Sequence, residues 1–390
     1  MNPQAMPVTT QPGKIGLYVH IPYCSHTCRY CDFYSQVGLP HEFDAFIDTL
    51  LAELRLVWRE FRCDEHEVDT VFIGGGTPSL LHPGQWRRLM NGLCSQTRLS
   101  AGAEITIECN PDSFSTDKAV CWQECGVNRL SLGVQSLDER ELRFLGRRHS
   151  AAIALEALNS PVLAGFESVN VDIIYGLPAQ TPRTLEHTCA ALMGNHRITH
   201  ISAYELTLHD HTPLWAQRHR YRFPGDEFII DLARLIGDLA RSHGFDRYEI
   251  SNYARPGFAC RHNSAYWLHK PYVGLGPSAH SFVNNRRYAN VCDTQRWSAS
   301  VRRGRRELSL CERLNPATLL QEAIFLRLRM MAGIDDAEFE QHYAQPFASG
   351  HRRYTLERLI ERGLLHRTHG RWQLTENGIA LADGVARELI

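Results

Sequence analysis

The sequence predicts an α/β fold in which a partial, TIM-like (β/α) barrel is followed by a smaller, mostly helical, winged-helix-like C-terminal domain. Three observations lead to this expectation. Strand-like and helix-like segments alternate up to about residue 255, polar residues follow the strands, and the rhythm changes after Pro256. With 390 residues, 43% of them hydrophobic, the chain can build one full-sized core and a second module.

The chain divides by this pattern into four parts. They are a short leader (1–15), the barrel (16–255), a loop-rich connector (256–305) and the C-terminal domain (306–390). The leader lacks a secretory signal pattern, and no apolar run approaches the roughly 18 to 20 residues of a membrane span. The twelve cysteines form no disulfide framework, and the nine outside residues 24–31 are scattered, which favours a reducing compartment, so we expect a cytoplasmic protein. A net charge of −1 disfavours nucleic acid or an anionic membrane as partner.

Seven segments of the barrel have the composition of strands. They are residues 17–21, 68–73, 104–109, 128–134, 168–175, 200–207 and 246–250. Helical periodicity separates them, as in the stretch from Phe43 to Phe61 and in the helix that begins near Pro83. Pro161 should break its helix near Ser160. Six or seven β/α units predict a parallel sheet whose strand ends meet at one rim.

The C-terminal domain resembles a winged helix. Helices are predicted at 318–331, 335–343 and 350–362, then a hairpin around Gly370 and a last helix from Glu376. This pattern raises DNA binding as a rival function. Residues 301–390 carry 14 Lys and Arg against 12 Asp and Glu, a net charge of +2 (14 − 12) that is too small for a nucleic-acid footprint. We expect no nucleic-acid partner.

The most specific motif is CxxxCxxC, formed by Cys24, Cys28 and Cys31 directly after the first strand. Three thiolates on one loop can hold three irons of a cubane cluster and leave the fourth iron open. A structural zinc site needs four ligands, and disulfides need an even number of cysteines. The alternatives are three buried small residues beside a turn, or half of a zinc site.

A polar site is predicted at the rim of the barrel. The turn Gly74–Pro78 would let backbone N–H groups approach the amino-acid end of a bound cofactor. Polar residues follow four successive strands: Glu108 with Asn110, Gln135 with Ser136, Asp172 with Tyr175, and Tyr204 with Glu205. Arg147 could pair with a cofactor carboxylate. The glycine segment could instead be only a turn, a strand-end residue could be a cap or form an internal hydrogen bond, and the arginine could form a surface salt bridge.

His262, Tyr266 and Trp267 form a compact aromatic group that we place in a loop. Neutral imidazole is a common iron ligand, and aromatic side chains can line a porphyrin pocket. The residues alone therefore leave two interpretations, heme binding or a structural cluster.

These motifs together resemble the radical S-adenosylmethionine (SAM) superfamily. The resemblance rests on the CxxxCxxC loop with Tyr30, the Gly74–Pro78 turn, Glu108–Pro111, Gly126–Ser136, Gly146–His149 and Asp172–Pro178. It covers nearly the whole chain. Within the superfamily, it points to the branch that contains oxygen-independent coproporphyrinogen III oxidase (HemN) and the heme chaperone HemW.

The resemblance implies three cofactors: a 4Fe–4S cluster, S-adenosylmethionine and heme. Cys24, Cys28 and Cys31 would hold the cluster. The implied S-adenosylmethionine contacts are Tyr18, Tyr30, Gly75, Gly76, Thr77, Glu108, Gln135, Arg147, Asp172 and Thr207. We assign no catalytic residue. In the family, electron transfer from the cluster cleaves S-adenosylmethionine to methionine and a 5′-deoxyadenosyl radical, and whether this chain completes that reaction is a separate question.

Two departures place the chain on the chaperone side of the branch. The oxidases of this branch carry a further cysteine two residues after the third and a longer N-terminal extension. Here Asp32 and Phe33 follow Cys31, and a short polar leader precedes Tyr18. The segment from His262 to Trp267 fits the HNxxYW signature associated with heme binding, with His262 as the candidate axial ligand. The expected function is a heme chaperone that delivers heme to an acceptor protein. The alternative is coproporphyrinogen III oxidase. An electron donor and a homodimer are compatible with either function.

Overall fold

A computed structural model describes residues 13–38 and 41–390, so most of the predicted leader lies outside the described residues. The strands up to residue 255 are β1 (Lys14–Ile21), β2 (Tyr23–Cys24), β3 (Gln36–Val37), β4 (Glu67–Gly75), β5 (Leu99–Cys109), β6 (Arg129–Gln135), β7 (Ser168–Tyr175), β8 (His200–Glu205), β9 (Asp246–Glu249) and β10 (Asn252–Ala254). Of these, β2 and β3 form a separate two-stranded parallel sheet. The strands that follow are β11 (Tyr272–Leu275), β12 (His280–Val283), β13 (Arg286–Asn290), β14 (Leu308–Arg313), β15 (Ile334–Asp335), β16 (Leu365–Thr368) and β17 (Arg371–Leu374).

The helices of the barrel and connector are α1 (Glu42–Phe61), α2 (Pro83–Gln96), α3 (Thr116–Glu124), α4 (Glu139–Leu145), α5 (Ala151–Asn159), α6 (Pro182–Met193), α7 (Pro213–Ala216), α8 (Asp226–Ser242), α9 (Arg261–Trp267) and α10 (Thr294–Arg302). The C-terminal helices are α11 (Pro316–Arg327), α12 (Asp336–Tyr343), α13 (His351–Glu361), α14 (Glu376–Ala380) and α15 (Ala382–Leu389). As expected, α5 ends at Ser160 and Pro161 opens a short 3₁₀ turn.

The predicted open, parallel (β/α) barrel is confirmed. Among the described residues, twelve strands form one sheet in the order β14-β13-β12-β11-β1-β4-β5-β6-β7-β8-β10-β9. The seven neighbours from β11 to β8 run parallel, so their carboxyl ends meet at one rim. Apolar strand residues such as Val19, Ile73 and Leu132 are buried against the helices, which forms the main core.

The segment predicted as a loop-rich connector is largely regular structure. It contains α9, α10 and three strands, and β11 extends the parallel sheet beside β1. The expectation that His262, Tyr266 and Trp267 lie in a loop is therefore wrong, because all three are on α9. These elements span only four to nine residues, which is too short for clear periodicity. Their stability comes from pairing with distant parts of the chain.

The last predicted barrel strand differs in its pairing. β9 covers Asp246–Glu249 as expected, but β10 lies between it and β8 and pairs antiparallel with both. The regular parallel units therefore stop at β8. The short strand β10 escapes a pattern search because three residues, Asn252–Ala254, show no alternation.

The C-terminal helical domain has its own core, in which Phe339, Phe347 and Leu356 are fully buried. Its helices surround a three-stranded sheet ordered β15-β17-β16. The last predicted helix is two helices, α14 and α15, separated at Leu381. Two backbone hydrogen bonds join this domain to the end of β9, from Ile250 N–H to Arg329 O (3.1 Å) and from Met331 N–H to Tyr248 O (2.9 Å).

Within the described residues, no helix combines the length and apolar character needed to cross a bilayer.

Candidate cofactor site

A cavity of about 120 Å³ opens at the carboxyl ends of the barrel strands. Eleven of the fourteen residues predicted for the site line it. They are Cys24, Cys28, Tyr30, Cys31, Gly75, Gly76, Thr77, Glu108, Gln135, Arg147 and Asp172. Tyr18, Thr207 and His262 are not among its lining residues. The structure thus brings together side chains from the cysteine loop and from β4, β5, β6 and β7, because parallel strands end at a common rim.

The cysteine loop is held by backbone contacts on both sides. The N–H of Cys31 donates to Cys28 O (3.4 Å), and the N–H of Arg29 donates to Leu145 O at the end of α4 (3.2 Å). All three thiols are free and half-buried. In residues 13–38 and 41–390, no three His, Cys, Asp or Glu side chains are arranged around a single metal ion. The donor set fits a cluster, in which each thiolate binds a different iron.

Hydrogen-bond donors already contact two of the sulfurs. Thr77 Oγ1 donates to Cys24 Sγ (3.4 Å), and Arg147 Nη1 donates to Cys28 Sγ (3.6 Å). A cysteine binds metal as the thiolate. Burial raises the pKa of the Cys31 thiol to about 12.

The glycine turn differs from the expectation that its N–H groups face a ligand. The N–H of Gly75 donates to Glu108 Oε2 (3.0 Å), that of Gly76 to Ile21 O (2.7 Å), and that of Thr77 to Tyr23 O (2.8 Å). A Cβ on Gly76 would lie 2.7 Å from Tyr23 O, so glycine is needed for this close packing. With its N–H groups used inside the protein, the turn can meet a ligand through its carbonyl oxygens.

Two buried carboxyl groups face the cavity. Burial and the nearby Asp172 raise the pKa of Glu108 to about 8, although Gly75 N–H and Arg129 favour the ionised form. Burial also raises the pKa of Asp172, whose Oδ1 accepts from Asn170 Nδ2 (2.8 Å). A cation in the cavity would favour the ionised form of both groups. S-adenosylmethionine carries an ammonium and a sulfonium group, so the pair fits that cofactor.

Arg147 is half-buried, and its guanidinium forms hydrogen bonds within the protein. Its Nη2 donates to Asn110 Oδ1 (2.6 Å) and to Gly133 O (2.5 Å). Asn110 Nδ2 in turn donates to Thr77 Oγ1 (3.2 Å), so one amide links the arginine to the glycine turn. The sequence marked Asn110 only as a polar residue at a strand end, and nothing in its spacing indicated this bridging role.

Gln135 has a left-handed backbone, with φ at 69°. It lies where the register between β6 and β7 shifts, just before the strand ends. A non-glycine residue held in this conformation at a binding rim is typical of a functional position.

Three predicted contacts lie elsewhere. Tyr18 Oη bonds to His20 Nδ1 (3.0 Å) and faces a second cavity. Thr207 is exposed, and its hydroxyl bonds to Glu205 O (3.5 Å). His262 is 1% exposed, with Nδ1 bonded to Thr70 Oγ1 (2.7 Å) and Nε2 bonded to Tyr266 Oη (2.7 Å). In this conformation neither imidazole nitrogen of His262 is free for iron.

The second cavity, which we name the aromatic cavity, measures about 810 Å³ and lies between the barrel and the C-terminal domain. Barrel-side residues that line it include Tyr18, Tyr34, Tyr266, Tyr272, His280 and Phe282, and α11 contributes Thr318, Gln321, Phe325 and Leu326. Its volume is within the range of about 300 to 1,000 Å³ for small-molecule sites. Phe33 lines both cavities, so the two share a wall.

Comparison with known proteins places these features in a family. Residues 18–192 match the family model of the radical SAM superfamily, and residues 314–381 match the HemN C-terminal domain. The heme chaperone HemW of Lactococcus lactis is 31% identical over 375 residues, which cover 96% of each chain. The chain belongs to the HemW family. Its cofactors, as a member of the radical SAM superfamily, are a 4Fe–4S cluster and S-adenosylmethionine.

Further relatives agree with this placement. The HemW of Escherichia coli is 38% identical over 276 residues, which cover 69% of this chain and 70% of that protein. A mouse relative, "Radical S-adenosyl methionine domain-containing protein 1, mitochondrial", is 32% identical and covers 97% and 87% of the two chains. Among solved structures, HemN of Escherichia coli shares the fold, with a TM-score of 0.85, 24% identity, and 98% and 91% of the chains covered.

Proposed function

We propose that this protein is a heme chaperone, which binds heme, a 4Fe–4S cluster and S-adenosylmethionine and delivers the heme to an acceptor protein. The observation that carries the proposal is similarity to HemW heme chaperones along 96% of both chains, including both modules. The twelve cysteines, all of them in the described part of the chain, are free, which supports a reducing, cytoplasmic location.

The cluster would be held by Cys24, Cys28 and Cys31, with one iron left for S-adenosylmethionine. When bound, a reduced cluster and this cofactor supply one-electron and radical chemistry. Arg147 would donate a hydrogen bond to the cluster ligand Cys28 through its 3.6 Å contact, and its positive charge would pair with the cofactor carboxylate in the same cavity. Removing the guanidinium would weaken both interactions.

The S-adenosylmethionine site would be built around the glycine turn. The carbonyl oxygens of Gly75 and Gly76 can accept hydrogen bonds from the cofactor's ammonium group. Glu108 and Asp172 would balance its positive charges in a buried setting, where such balance matters most. Tyr30, Thr77 and Gln135 line the same cavity. Tyr18 and Thr207 are more distant members of the proposed set.

The proposal is tested by two assays on anaerobically reconstituted protein. We expect ferric heme titration to produce a saturable Soret band, and the bound heme to pass to heme-free myoglobin used as a generic acceptor. With reductant, S-adenosylmethionine and coproporphyrinogen III, we expect no protoporphyrinogen IX. Robust formation of that product would instead assign the chain to the oxidase function. The absence of any saturable heme band would contradict the chaperone function.

A further inference from the structure

The aromatic cavity has the shape and chemistry of a porphyrin site. The rings of Tyr266 and Tyr272 pack edge to face with centroids 4.5 Å apart, and Phe282 stacks on His269 at 4.3 Å. Phe325 of α11 and Phe33, which is 62% exposed, also line the cavity. Flat aromatic walls around a concave volume of about 810 Å³ suit a large, planar, mostly apolar ligand.

Three histidines line this cavity, and the rings of two of them already contact other protein groups. His20 has both nitrogens bonded, Nδ1 to Tyr18 Oη (3.0 Å) and Nε2 to Tyr34 O (2.8 Å). His269 places Nε2 3.5 Å from Glu322 Oε2, and its ring face is covered by Phe282. The remaining histidine is His280, the first residue of β12.

His280 is exposed, and within residues 13–38 and 41–390 no polar group bonds to either of its ring nitrogens. An imidazole with a free nitrogen facing an apolar cavity is the usual protein ligand of heme iron. The tyrosines are weaker candidates. Tyr18 and Tyr266 have hydroxyls bonded to histidines, and burial raises the pKa of Tyr272, which disfavours the phenolate.

The cavity lining also includes a cationic side chain that forms no ion pair with a described residue. Arg287 is already paired with Glu312 and with Glu322 (2.9 Å). Lys270 is exposed, lines the same cavity, and makes no ion pair with any described residue. An ammonium group at the rim of an apolar pocket is suited to a ligand carboxylate such as a heme propionate.

We infer that the aromatic cavity is the heme site of this chaperone, with His280 as the axial iron ligand and Lys270 as a partner of a propionate. The inference rests on the proposed function and specifies where its ligand binds. His262 then acts as a positioning residue, since its Nε2 holds the hydroxyl of Tyr266 at 2.7 Å in the cavity wall.

The test compares ferric heme with metal-free protoporphyrin IX, which has the same ring and propionates but no iron. For His280→Ala, we expect a shifted Soret band and heme affinity at least about tenfold weaker. Protoporphyrin IX affinity should remain within about twofold, and added imidazole should restore the heme spectrum. Lys270→Glu should weaken binding of both porphyrins. His187→Ala, an exposed histidine on α6, is the matched control and should change neither.

The possible results separate the two proposals. If the unmodified chain binds no heme, the proposed function and this inference both fail. If it binds heme and His280→Ala leaves affinity and Soret band unchanged, only the inference fails. His262 would instead be the axial ligand if His262→Ala shifts the Soret band, added imidazole restores it, and His280→Ala has no effect. Equal loss of both porphyrins in His280→Ala without imidazole rescue would also overturn the assignment to His280.

Discussion

Glu108 contributes a largely buried carboxyl group to the lining of the cavity at the carboxyl ends of the barrel strands. Its pKa is raised to about 8, mainly by burial and then by the charge of Asp172, while Arg129 acts in the opposite sense. At neutral pH the group is therefore largely protonated without its ligand. A cationic cofactor binds the ionised form better, so its binding must release this proton when the pH is below 8.

We therefore predict that S-adenosylmethionine affinity rises with pH and levels off above about pH 8, by up to tenfold per pH unit below that. Glu108→Gln should bind more weakly and lose this dependence. Isothermal titration calorimetry of both reconstituted proteins from pH 6 to 9 measures the affinity and its pH dependence. The measurements on Glu108→Gln account for protonation of S-adenosylmethionine itself. Parallel pH profiles for the two proteins would contradict the prediction.

Most residues of the candidate site could be predicted because their signals are local. The three cysteines and the glycine turn lie within short motifs at strand ends, and parallel strands bring such ends together. Hydrogen-bond partners that are far apart in the sequence could not be predicted from such local motifs. Thr70, which bonds to His262, is 192 residues away in the sequence. Whether the ring nitrogens of His280 have hydrogen-bond partners likewise depends on residues that only the folded chain brings near.

At the scale of elements, α1 is tied to the connector by one buried carboxylate. Glu53 accepts hydrogen bonds from Gly276 N–H (2.7 Å), Asn290 Nδ2 (2.6 Å) and Trp297 Nε1 (3.0 Å). These donors belong to three separate parts of the segment that the sequence suggested was loop-rich. A helix thus organises short elements that have little propensity of their own.

We predict that Glu53→Ala lowers the free energy of unfolding by about 3 to 5 kcal/mol, because three buried donors lose their acceptor. Asp48→Ala on the same helix removes only an exposed ion pair with Arg88 and should cost about 0 to 1 kcal/mol. Guanidinium unfolding followed by circular dichroism compares the two. A Glu53→Ala loss as small as that of Asp48→Ala would show that the carboxylate is not structural.

The barrel elements were predictable for a reason that does not extend to the connector. Segments such as Ser168–Tyr175 and Glu42–Phe61 are long enough for apolar periodicity to indicate their type. Strands of four or five residues, such as Tyr272–Leu275, exist because a neighbouring strand completes their hydrogen bonds. Single-sequence patterns do not contain that pairing.

At the scale of the whole molecule, the C-terminal domain carries almost no net charge. Arg358 and Arg362 both pair with Glu388, and Arg329 pairs with Asp383. Exposed arginines such as Arg353 and Arg387 form no ion pair with a described residue, but the net charge of residues 301–390 is only +2 (14 − 12), which is too small for a nucleic-acid footprint.

We accordingly predict no measurable binding to a random-sequence DNA duplex at about 150 mM salt. Fluorescence anisotropy with labelled duplex, repeated at about 50 mM salt, provides the measurement. A basic winged-helix protein of similar size serves as the positive control. Saturable binding that weakens steeply with added salt would restore the DNA-binding function that the charge count argues against.

The wall shared by the two cavities has a genetic consequence. Asp32, Phe33 and Tyr34 follow Cys31 directly and line the aromatic cavity, and Phe33 also lines the cavity at the carboxyl ends of the barrel strands. A substitution at position 33 therefore changes two sites with one codon. Phenotypes of such alleles cannot be assigned to either ligand alone, and selection for one site constrains the sequence available to the other.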